Sequence, residues 1–166
     1  MELRDYPRPQ NDTGIGVHWS AGFAAAIGLG GIEQTWLPEL KALGVKWVKV
    51  ANHDGAMGFV ELLLKHDIMP IVRLYRPQPN PGVLDAKALQ AVSDYVAAGV
   101  RYLEFNNEPD LGVEWQGGER PADALTVVAR TAIVDMEAIL QRGGYPAVPA
   151  LATGTTWDIV GEICRL

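Results

Sequence analysis

The chain has 166 residues, 48% hydrophobic and 20% charged, a balance that suits one globular domain, residues 1–166, with a sizeable buried core. A net charge of -6 and a pI near 5.0, with no basic cluster, argue against nucleic acid or an anionic membrane as partners and favour neutral substrates. Cys164 is the sole cysteine, so no internal disulfide can form.

The opening stretch, Met1-Glu-Leu-Arg-Asp-Tyr-Pro-Arg-Pro9, lacks the basic start and apolar run of a signal peptide. No run approaches the roughly 20 apolar residues of a membrane span. The compartment stays open on these grounds.

Short β-rich runs alternate with helical patterns. Ile15-Gly-Val-His-Trp19 reads as a first strand. A helix over 32–43 follows, with Leu37, Leu40 and Leu43 on one face and Gly44 as its stop. A second strand covers 45–50, a helix 57–65 and a third strand 68–75. Pro77, Pro79 and Pro81 then enforce an extended loop. Asp85 caps a helix that ends at Gly99. Val100–Phe105 is the fourth strand. Glu119-Arg-Pro-Ala opens a long helix closed by Gly143-Gly144. A fifth strand is expected over 147–152 and a fifth helix over 156–165.

This rhythm predicts an α/β fold, a parallel sheet covered by helices. Two architectures fit. One is a five-stranded, doubly wound open sheet. The other is a TIM (β/α)8 barrel, which takes roughly 250 residues, so that only about its first five strands would be present. The barrel is preferred for two reasons. Gly28-Leu-Gly-Gly31 lacks any phosphate-loop pattern. Polar residues stand at or just past most strand ends: His18, Asn52, Arg73, Asn107 with Glu108, and Thr153.

The run Tyr102-Leu-Glu-Phe-Asn-Asn-Glu-Pro-Asp110 carries most of the chemistry. An apolar strand ends there in two amides and two carboxylates. A carboxyl beside an amide at the end of a buried strand suits proton donation to a sugar acetal. Such an acid must stay protonated near neutrality, and Phe105 and Pro109 give Glu108 a partly apolar setting.

The segment Glu104-Phe-Asn-Asn-Glu-Pro109 resembles the fourth-strand signature of the clan A glycoside hydrolases, which share a (β/α)8 barrel. Gly44-Val-Lys-Trp-Val-Lys-Val50 and Met69-Pro-Ile-Val-Arg-Leu-Tyr75 are similar to the second and third strands of such enzymes. The resemblance implies a retaining glycosidase acting on a β-linked carbohydrate. It gives Glu108 the acid/base role and Asn107 the contact to the sugar 2-hydroxyl. It also implies a nucleophilic Glu at the end of a seventh strand, and no residue here takes that part. Glu162 belongs to a helix, and Glu114 and Glu119 follow Glu108 too closely. The chain alone is expected to be inactive and to self-associate through exposed barrel edges.

Further candidates for substrate binding are His18, Arg73, Trp19 and Trp115, with Tyr75 and Trp157 also near strand ends. Each has a plainer reading. His18 can be a hydrogen-bonded core residue, Arg73 can neutralise Glu104, and the tryptophans can be packing. Asn52 and His53 are weaker candidates. No cofactor motif is present. His18, His53 and His66 lack metal-ligand spacing, so no metal is expected. The alternative to an enzyme is a non-catalytic α/β domain that binds carbohydrate or protein.

Overall fold

The computed structural model describes residues 5–19, 21–52, 56–76 and 81–166. His53, Pro77 and Pro79 lie outside the described residues. Five strands form one parallel sheet: β1 (Gly16–Trp19), β2 (Trp47–Ala51), β3 (Met69–Leu74), β4 (Tyr102–Phe105) and β5 (Tyr145–Ala147). Their order in the sheet is their order in the chain. A doubly wound sheet reverses its order at a switch point. This one does not. Each βα unit adds its strand on the same side, as units of a barrel do.

Among the described residues six α-helices join or follow the strands: α1 (Ala21–Gly31), α2 (Leu37–Ala42), α3 (Ala56–Lys65), α4 (Ala86–Ala97), α5 (Ala124–Leu140) and α6 (Ile159–Arg165). The expected caps are in place. Asp85 accepts the Ala88 N–H at 2.8 Å, and Gly44 and Gly99 follow their helices with φ of 69° and 105°.

Four expectations need correction. The helix expected over 32–43 is a π-helical turn, Ile32–Trp36, running into α2. Leu37 and Leu40 are buried, but Leu43 is exposed. The glycine-rich run hid α1, which is broken at Gly28 (φ 66°). The fifth strand is regular over 145–147, not 147–152. Beyond it the backbone is given to the turn after β4, the Ala150 carbonyl to the Glu108 N–H and the Ala152 N–H to Asp110. Finally, α5 begins at Ala124, one turn later than expected, because Pro121 starts a tight turn whose carbonyl takes the Ala124 N–H at 3.1 Å.

The described residues divide into two compact units, Met1–Arg73 with Tyr95–Tyr102, and Leu74–Asp94 with Leu103–Leu166. In the first, β1 to β3 run in register, Trp19 beside Val50 and Val50 beside Val72. Alternation along the strands splits the side chains between two faces. Val48, Val50 and Val72 are buried, whereas Lys49, Ile71 and Arg73 are half-buried. The core gathers Ile32, Leu37, Leu40, Phe59 and Leu63 around the buried strand face. Trp47 donates its indole N–H to Asp12 at 2.7 Å and packs on Tyr102, whose hydroxyl donates to the Pro7 carbonyl.

In the second unit, α5 buries Ala124, Val128, Ala129, Ala132, Asp135 and Ile139, the spacing of one helical face. Leu103 and Phe105 of β4 are fully buried. Asp135 accepts the Leu84 N–H at 2.8 Å and so holds the segment ahead of α4. Thr126 donates to Glu162 at 2.7 Å, and Glu162 pairs with Arg165, joining α5 to α6. No helix among the described residues is long and apolar enough to cross a membrane.

Candidate active site at the end of the fourth strand

Beyond Phe105 the backbone turns sharply. Asn106 and Glu108 adopt φ of 61° and 37°, a region that L-residues other than Asn and Asp rarely enter. Holding two such residues costs on the order of 1 kcal/mol or more each. Neighbouring contacts hold the turn. The Glu108 N–H donates to the Ala150 carbonyl at 2.9 Å, and the Glu108 carbonyl accepts from the Leu111 N–H at 2.9 Å. Two residues on, the buried Asp110 carboxylate accepts the Ala152 N–H, with its oxygens at 3.0 and 3.2 Å. Arg120 donates to the Asp110 carbonyl. The turn after β4 is thereby tied to the segment after β5. The Asp110 carboxylate serves this tie.

Asn107 and Glu108 are both half-buried. The Asn107 amide nitrogen donates to Glu114 Oε1 at 2.7 Å. No hydrogen bond or ion pair engages the Glu108 carboxylate among the described residues. Asn106 is 1% exposed, and neither of its amide atoms has a hydrogen-bond partner among the described residues. Trp115 is half-buried and donates its indole N–H to the Pro109 carbonyl at 2.8 Å. The loop around it makes two short 3-10 turns, Gly112–Glu114 and Gln116–Gly118. A Cβ on Gly112 would lie 2.6 Å from the Gly118 carbonyl oxygen, so only glycine lets the two turns close.

In the other unit, His18 and Arg73 stand near the C-terminal ends of β1 and β3. His18 is exposed and pairs in register with Lys49; Arg73 is half-buried and pairs with Ala51. The Arg73 carbonyl accepts the Asn52 N–H at 2.9 Å. Trp19 is 7% exposed, edge-on to Trp36 at 5.7 Å and 5.3 Å from Phe59. Its ring is occupied by packing, which favours the core reading over the sugar platform. Trp47 is a packing residue, set against Tyr102 and hydrogen-bonded to Asp12.

Two residues gain a place that the sequence did not signal. Glu114, too close to Glu108 in sequence for the nucleophile, holds Asn107. Arg120 had been read as part of a helix start, yet it braces the Asp110 turn and lies over the Trp157 ring at 5.2 Å. Seven- and ten-residue separations inside an irregular loop leave no periodic trace.

No family model and no curated protein matches the chain. Solved structures do. A fungal β-1,4-galactanase superposes with a TM-score of 0.61 at 16% identity, over 90% of this chain and 57% of that one. An L-ribulose 3-epimerase superposes with a TM-score of 0.51 at 15% identity, over 81% of this chain and 48% of that one.

The chain has the fold of TIM-barrel βα units. It spans about half the length of the solved structures it matches. The C-terminal ends of the strands are where such barrels carry their chemistry, and the turn holding Asn107 and Glu108 is at such an end.

Proposed function

We propose that the chain is the acid/base-bearing portion of a TIM-barrel glycoside hydrolase that works on a β-linked carbohydrate by a retaining mechanism. Glu108 protonates the leaving oxygen and later activates water. Asn107 holds the hydroxyl next to the anomeric carbon. The observation that carries the reading is Glu108 itself: a half-buried carboxylate at the end of β4, on a turn held by Ala150 and Leu111 and engaged by no other side chain among the described residues.

A retaining enzyme needs a second carboxyl roughly 5–5.5 Å away. Glu114 serves Asn107 and Glu162 serves Arg165 and Thr126, so neither is assigned. The nucleophile belongs, in this reading, to strands beyond these five or to another copy of the chain. Because one solved neighbour is a β-1,4-galactanase, a β-1,4-galactan is the first polymer to test, beside aryl β-galactosides and β-glucosides. Hydrolysis that falls with Glu108→Gln supports the assignment. Hydrolysis that is indifferent to it removes Glu108 from the chemistry.

The unassigned second carboxyl also favours a second reading, a carbohydrate-binding domain without catalysis. That reading expects binding that survives Glu108→Gln and no turnover at all.

A further inference from the structure

The second unit holds a cavity of about 260 Å³ at the C-terminal ends of β4 and β5, away from the Asn107 side of the turn in sequence. Asp110, Leu111, Arg120 and the run from Ala152 to Trp157 line it. It is beside the catalytic turn by construction, because Asp110 anchors Ala152 two residues after Glu108 anchors to Ala150.

The geometry points to a sugar-binding subsite here that takes one neutral pyranose ring; this rests on the glycosidase reading and extends its substrate to a chain of at least two sugars. Three observations carry it. First, the guanidinium of Arg120 is fixed from two sides, by the Trp157 ring and by the Asp110 carbonyl. A planar donor fork held in place loses little freedom on meeting a hydroxyl. Secondly, the wall offers both donors and acceptors. Thr153, Thr155 and Thr156 contribute hydroxyls, and Thr155 Oγ1 already accepts the Trp157 N–H at 3.2 Å, which leaves its O–H to donate. Sugar hydroxyls need this mixture. Thirdly, the positive charge of Arg120 shares the cavity with the carboxylate of Asp110, so the site does not favour an anionic sugar over a neutral one. The volume lies just below the roughly 300–1,000 Å³ of drug-sized sites, room for one ring rather than several.

The test is a titration followed by ¹H–¹⁵N correlation spectra of this chain. The probes are methyl β-D-glucoside, methyl β-D-galactoside, methyl β-D-mannoside and D-glucuronate. At least one neutral glycoside should shift the amides of Gly154, Thr155 and Thr156 and the Trp157 indole saturably. Arg120→Ala and Trp157→Ala should each weaken that binding about tenfold, the loss expected when a stacked, hydrogen-bonding contact is removed. Arg120→Lys, which keeps the charge but not the planar fork, should resemble Arg120→Ala and shows that a folding defect is not the cause. The spectrum of each variant reports its own folding. No saturable shift at these amides with any neutral glycoside overturns the subsite, as does a preference for glucuronate or indifference to Arg120 and Trp157. Saturable shifts in this chain, together with no Glu108-dependent hydrolysis by the complete natural polypeptide, uphold the subsite and sink the hydrolase. Glu108-dependent hydrolysis without such shifts does the reverse.

Discussion

The amide nitrogen of Asn107 lies 2.7 Å from Oε1 of Glu114. A carboxylate only accepts hydrogen bonds, so this contact fixes which end of the Asn107 amide is the NH₂ group. In the proposed reading Glu114 acts through Asn107, as a positioning residue. Glu114→Ala should lower kcat/KM by about tenfold, the usual scale for a misplaced binding group. The loss should be much smaller on a 2-deoxy glycoside, which offers Asn107 no hydroxyl. Asn107→Ala and Glu114→Ala should be strongly non-additive, because they disable one device. Equal losses on both substrates would assign Glu114 to loop folding alone.

The tie between Asp110 and Ala152 is expected to carry stability rather than chemistry. Asp110→Ala leaves the Ala152 N–H without its acceptor, an unpaired donor that costs about 1–3 kcal/mol. Urea denaturation should show that loss, and Asp110→Asn, which keeps an acceptor oxygen, should recover part of it. An Asp110→Ala protein as stable as the parent would mean that water replaces the carboxylate at no cost.

Burial pushes the Asp135 carboxyl up to about 6 from 3.8, against the opposing pull of the Leu84 N–H and the Arg76 charge. A raised acid binds its proton more tightly in the folded state than in the unfolded one. Its contribution to stability therefore falls as pH rises between 3.8 and about 6. Above that window the full cost of a buried charge is present. Asp135→Asn keeps an acceptor for Leu84 and removes the charge. It should be more stable than the parent at pH 7.5 by on the order of 1–2 kcal/mol, after allowance for its buried NH₂ group. The advantage should shrink toward pH 4, and an advantage independent of pH would rule out ionisation as the cause.

β1 and β5 stand at the two edges of the sheet. Parallel edges with unpaired backbone groups seek partners. We expect this 166-residue chain to self-associate, with a mass in sedimentation equilibrium that rises across the micromolar range. A strictly monomeric protein at every concentration would refute that.

Much of the fold was legible because it rests on local chemistry. Asp85 caps α4, Gly44 and Gly99 stop their helices, and the apolar runs of β2 and β3 announce buried strands. The misreadings share a cause. At Ile32–Trp36 and around Pro149 the backbone departs from regular periods, and a periodic pattern cannot report that. In the candidate site, the place of Asn107 and Glu108 just past β4 was readable because the apolar strand leads into it. Trp19 was readable only as an aromatic at a strand end. Its burial against Trp36 and Phe59 depends on α3 and the π-helical turn, which meet it from afar in sequence. Glu114 and Arg120 escaped notice because an irregular loop folds them back onto the turn they support.

The most direct test of the proposed chemistry is chemical rescue of Glu108→Ala. The assay uses the complete natural polypeptide and an aryl β-glycoside with a good leaving group. Loss of the acid/base should slow turnover of the glycosyl intermediate by about 10²–10⁴-fold. Added azide needs no general base, so it should restore much of the rate and yield a β-glycosyl azide. A variant that hydrolyses as fast as the parent, or one that azide neither accelerates nor diverts to that product, would contradict Glu108 as the acid/base of a retaining glycosidase.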